Sequence, residues 1–97
     1  MTLKAGAIFG LSLQHALRLV CMDAPVDAPE MTVTQLEGFS YKVRCGNRTL
    51  DYGISQTQLN WQMVSLGSYE AVLSWHATKI LLAFFPQLHI ESSSKFP

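Results

Sequence analysis

Residues 39–54 read FSYKVRCGNRTLDYGI, and this stretch decides the fold. Phe39, Tyr41, Val43 and Cys45 alternate with Ser40, Lys42 and Arg44, the period-2 pattern of a strand buried on one face. Gly46-Asn47 follows, a two-residue loop with glycine first, which is the chemistry of a type II′ hairpin turn. That turn sets the register. Cys45 faces Arg48, Val43 faces Leu50, Tyr41 faces Tyr52 and Phe39 faces Ile54. One face of the hairpin is then apolar, while the other sets Lys42 against Asp51 and Arg44 against Thr49. Turn chemistry, alternation and cross-strand pairing all agree, the local consistency expected of a foldable segment.

Outward from the hairpin, Leu59, Trp61 and Met63 alternate again and predict a further strand. Thr32, Thr34 and Leu36 predict an earlier, weaker one, giving an antiparallel meander of three to four strands. Beyond it, Ser68 as N-cap, Glu70 in the first turn and Pro86 as a stop frame a helix through YEAVLSWHATKILLAFF. The same residues split at Tyr69–Trp75 and Lys79–Phe85 would form two strands and turn the fold into a small all-β sandwich or barrel. As a membrane span this stretch is poor, because His76 and Lys79 sit near its centre.

On the N-terminal side, residues 1–22 hold no acidic side chain, and Lys4 and Arg18 are their only full charges. The run AGAIFGLSLQHALRLV is apolar but interrupted by Gln14, His15 and Arg18. On a helix, Lys4, His15 and Arg18 share one face with Ala7, Leu11 and Gln14. Leu3, Ile8, Phe9, Leu13, Leu17 and Val20 spread over the rest. Three readings stand side by side: a core helix, a removable leader of mitochondrial or secretory type, and an interfacial anchor. Localisation at a membrane, outside the cell or in mitochondria follows only from the last two. Residues 23–30, DAPVDAPE, form a stiff acidic linker. The organisation expected is therefore an apolar helix or leader over 1–22, a linker over 23–30, one α+β domain over 31–90 and a loose tail over 91–97.

The chain of 97 residues and 10.8 kDa has room for a single domain. It is 48% hydrophobic and 14% charged, which excludes a generic disordered chain. Seven basic and seven acidic residues cancel, so wholesale electrostatic binding of nucleic acid is not expected. Lys42, Arg44 and Arg48 are the one concentration of cations. Tyr41 and Tyr52 lie near them in sequence, but the register turns both rings to the apolar face, opposite Lys42 and Arg44, where they offer no platform for stacked bases.

No residue pattern carries catalysis. His15, His76 and His89 stand at no metal-ligand spacing, and neither a G-x-S-x-G motif nor a phosphate-binding loop occurs. Cys45 sits on the apolar face, where burial quenches a thiol, so a Cys45–His76 nucleophile lacks support. Cys21 and Cys45 lack CxxC spacing. They are compatible with two buried thiols, or with one disulfide worth about 3 kcal/mol. Asn47-Arg48-Thr49 is a glycosylation sequon that matters only in a secreted chain. No catalytic residue, cofactor or metal is expected.

What remains is surface. Trp61 and Trp75 either fill the core or anchor an interface. The apolar fraction is high for so small a chain, so exposed apolar surface calls for a cover: another protein, a second copy or a bilayer. The leading expectation is a non-enzymatic interaction domain that docks through its sheet or C-terminal helix, with Lys42, Arg44, Arg48, Trp61 and Trp75 as the candidate surface. A membrane-associated protein held by its N-terminal segment is the alternative, and a secreted or organellar domain with a cleaved leader is the third.

Overall fold

The hairpin takes the register its turn dictates. β2 (Ser40–Cys45) pairs with β3 (Arg48–Gly53) through Cys45–Arg48, Val43–Leu50 and Tyr41–Tyr52. Gly46 has φ +64°, and Asn47 keeps a negative φ, as a II′ turn requires. β1 (Met31–Glu37) adds on the other side of β2, and the sheet is a three-stranded antiparallel meander in the order β1-β2-β3. Alternation decides its two faces. Tyr41, Val43 and Cys45 are buried, while Lys42 and Arg44 are exposed.

This computed structural model describes residues 4–23 and 30–88, in the order α1 (Ala5–Asp23), the meander, α2 (Gln56–Leu66) and α3 (Tyr69–Phe84). The protein is thus α+β. The linker lies outside the described residues except for Asp23, which ends α1, and Glu30; the tail over 91–97 and His89 lie outside them too.

α1 packs on α3 and on β1, and Phe9, Leu13 and Leu17 join Tyr41, Val43, Ile80 and Leu81 in one core. Two polar contacts set its depth. The Tyr41 hydroxyl donates to the Gly6 carbonyl at 2.7 Å. The Gln14 side-chain amide pairs with the outer edge of β1: Nε2 donates to the Met31 carbonyl, and Oε1 accepts from the Val33 N–H, both at 2.7 Å. A Cβ on Gly6 would sit 1.8 Å from the Gly38 carbonyl oxygen, so glycine is what lets this helix lie on the sheet.

The strand predicted through Leu59, Trp61 and Met63 is α2 instead. Ser55 Oγ accepts from the Gln58 N–H at 3.0 Å and caps the helix, and Gly67 closes it in the left-handed conformation with φ +83°. The residues it buries, Leu59 and Gln62, stand three apart, with half-buried Leu66 following on the same side. Trp61 and Met63, the other members of the apparent alternation, are exposed. α3 forms as framed. Ser68 Oγ accepts from the Ala71 N–H at 3.1 Å, which excludes the split into two strands and the all-β alternative.

Candidate interaction surface

The outer face of α1 follows from the inner one. With Phe9, Leu13, Ala16 and Leu17 in the core, the 100° step per residue turns Ile8, Leu11, His15, Leu19 and Met22 outward. Leu11 is 67% exposed and Met22 79%. Of the nine large apolar side chains exposed among the described residues, four lie on this one ridge: Ile8, Leu11, Leu19 and Met22. Such concentration is what distinguishes a docking face from scattered surface leucines. Beside the ridge runs a groove of about 840 Å³ between α1 and α3, lined by Leu11, His15, Leu19, Tyr69 and Leu73 among others. A second cleft of about 380 Å³ opens around the start of α1, between Ile8, Phe9, Phe39, Leu59, Met63 and Val72.

The residues singled out from sequence do not form one site. Lys42 and Arg44 stand on the open face of the sheet. Lys42 lies opposite Asp51 in register, yet the one ion pair closed among the described residues is Arg18–Glu30, at 2.9 Å on the surface. Arg48 leaves the other two cations. It shares the face of Cys45, donates to the Phe84 carbonyl at 2.7 Å and lies 5.2 Å from the centre of the Phe84 ring. Trp61 stands exposed on α2 three residues from exposed Val64. Trp75 is half-buried on α3, edge-on to His76, with the Lys79 ammonium 4.7 Å from its ring centre. Asn47 is exposed in the hairpin turn. Cys21 and Cys45 are carried as thiols. Burial pushes the Cys21 thiol up, and the charge of Cys45 adds to the shift, so the two sulfurs lie within electrostatic reach of each other.

Among the described residues a buried polar constellation forms around His76, and its bonding is structural. His76 is fully buried. Its Nε2 lies 2.7 Å from Gln62 Oε1, and its Nδ1 lies 2.5 Å from the Tyr52 hydroxyl. An amide oxygen only accepts, so Nε2 carries the proton and Nδ1 accepts from Tyr52. Burial, with Lys79 adding to it, lowers the imidazole pKa from 6.5 to about 4. Burial also pushes the Tyr52 hydroxyl far up, and Tyr41 up to about 12. All three side chains are therefore neutral near pH 7. With its one lone pair engaged, His76 has none left to activate Cys45. Among the described residues no three His, Cys, Asp or Glu side chains come together as a metal site.

Sequence reasoning missed both the α1 ridge and the His76 network. The amphipathic spacing of Leu11, His15 and Met22 was readable, but which face would meet the sheet was not. The network joins residues 24 and 14 positions apart, and no local pattern signals it. No family model matches this chain, and neither a curated protein nor a solved structure matches it.

Proposed function

We propose that the protein is a small non-enzymatic interaction domain whose α1 ridge docks on another polypeptide. The observation that carries this reading is the exposed run Ile8, Leu11, Leu19 and Met22 on a helix whose other side is locked into the core. A largely apolar ridge, broken by His15 at its middle and lying beside a groove, is a geometry suited to helix-to-helix docking. Neutral buried His76 and the unremarkable spacing of the titratable groups supply no catalytic alternative. The expected result for pure protein is binding of a hydrophobic dye that Leu11→Lys together with Met22→Lys abolishes without changing the circular dichroism spectrum. A protein that stays monomeric across concentrations and binds no dye contradicts the reading.

Membrane association is the second reading, favoured by one observation: α1 is long and apolar enough, by length and composition, to cross a membrane. Insertion would strip the bonds of Gln14 to Met31 and Val33 and that of Tyr41 to Gly6, and would pull Leu13 and Leu17 from the core. Each stranded polar group costs about 1–3 kcal/mol, which favours docking with α1 in place. Flotation with neutral phosphatidylcholine vesicles separates the two. Recovery with the vesicles in a manner dependent on Leu11 and Met22 supports the membrane, and recovery in the unbound fraction supports the polypeptide partner.

A further inference from the structure

The two edges of the sheet are treated differently. β1 has the start of its outer edge capped by the Gln14 amide, which bonds to Met31 and Val33 as a neighbouring peptide group would. Among the described residues β3 has no such cover. In a two-residue hairpin the residues flanking the loop form a hydrogen-bonded pair, so Arg48, Leu50 and Tyr52 direct their backbone groups at β2. The parity continues to Ile54, whose N–H donates to the Phe39 carbonyl at 3.0 Å. The N–H and C=O groups of Thr49, Asp51 and Gly53 therefore point away from β2. No strand among the described residues pairs with them. Proteins ordinarily blunt or cover such an edge.

A groove of about 340 Å³ lies beside this edge, between the inner face of β3 and α3, lined by Leu50, Tyr52 and Gly53 of the strand, Gln58 of α2 and Trp75, Lys79 and Ala83 of α3; Gly53 is the residue with outward backbone groups that reaches it. A strand edge facing a helix across a groove is the arrangement that accepts an added strand. We propose that the groove takes an extended segment of a partner protein, which pairs with Thr49–Gly53 as a fourth strand. Backbone groups spaced along an edge are satisfied by another extended backbone; a helix or a small molecule would leave them to water. The segment is apolar where it faces Leu50 and Ala83, and it carries a carboxylate against Lys79, an exposed cation with no ion-pair partner among the described residues. A second copy fits poorly, because two β3 edges paired antiparallel about Asp51 would set the two Asp51 side chains opposite each other. The proposal rests on the interaction reading but uses a different surface from the α1 ridge, so each can fail alone.

The test titrates the full-length, nitrogen-15-labelled chain with an acetylated and amidated peptide TVTETVT, with its fully N-methylated counterpart and with TVTKTVT. The expected result is that TVTETVT shifts the Thr49, Asp51 and Gly53 amides and slows their hydrogen exchange. The N-methylated peptide, deprived of its donors, should bind about tenfold more weakly or worse. Lys79→Glu should reverse the preference between TVTETVT and TVTKTVT, which a loss of folding would not do. Equal effects of the methylated and unmethylated peptides, or shifts confined to α1, overturn the proposal. So does slow exchange of the three amides without peptide: if it depends on concentration the occupant is a second copy, and if it disappears on deletion of residues 89–97 the occupant is the chain's own tail. Leu11→Lys should leave peptide binding unchanged, so failure at the ridge and failure at the edge are read separately.

Discussion

The Tyr52 hydroxyl and His76 Nδ1 lie 2.5 Å apart and join edge strand β3 to the middle of α3. Gln62 completes the link from α2 at 2.7 Å, so one imidazole ties three elements together. Both ring nitrogens of His76 have their partners, and among the described residues no fully buried side-chain polar atom lacks one, the condition under which a buried network is stable. Tyr52→Phe leaves Nδ1 without a donor and Gln62→Leu leaves the Nε2 proton without an acceptor. Each is expected to cost about 1–3 kcal/mol in urea unfolding. The double variant should cost less than the sum, because both act on one ring. Additive losses would show that the two bonds are not coupled.

The same ring makes stability depend on pH. The folded-state pKa of His76, about 4, lies below its ordinary 6.5, so between these values the unfolded chain holds more protons. The contribution is complete above about pH 6.5 and is lost as pH falls toward 4, reaching about 3 kcal/mol over the window. Urea unfolding of the native chain at pH 7 and pH 5 should register most of that loss. His76→Gln, which cannot titrate, should be much flatter between the same pH values. Equal slopes for the two chains would remove His76 as the cause.

Gly6 is held by proximity to backbone. Alanine there would raise helix propensity by about 1 kcal/mol. Its Cβ would nevertheless meet the Gly38 carbonyl oxygen at 1.8 Å, and neither backbone segment can yield without moving α1 off the sheet. Gly6→Ala is expected to destabilise by more than about 2 kcal/mol in chemical denaturation. A neutral or stabilising result would mean that α1 does not lie this close to the β1–β2 turn.

α2 depends on its caps more than on its packing, since it buries only Leu59 and Gln62 fully. Ser55→Ala removes the bond to the Gln58 N–H and should cost about 1 kcal/mol. Hydrogen exchange should quicken first in the opening turn of α2, with α3 unaffected. Uniform quickening across both helices would contradict a local cap.

What was legible in the sequence was local. The hairpin register follows from Gly46-Asn47 and the alternation beside it, and α3 follows from Ser68, Glu70 and Pro86. α2 was misread because Leu59, Trp61 and Met63 alternate by coincidence. The contrary signals were also local: Ser55 followed by Gln58, a capping pair, and Gly67 at the far end. The rest was tertiary. Arg48 looks like part of a cationic strand until the fold brings it to the Phe84 carbonyl. The ridge of α1 became a surface only when Gln14 and Tyr41 fixed which side of the helix meets the sheet.

The most direct measurement of the interaction reading places a photoreactive amino acid at Leu11 or Met22, and as a control at Thr34 on the open sheet face, in the full chain within its own cells. The expected result is a discrete polypeptide adduct from positions 11 and 22, lost with the companion variant Leu19→Lys, and none from position 34. Adducts to lipid alone, or equal diffuse labelling from all three positions, would contradict the assignment of the α1 ridge as a protein-docking surface.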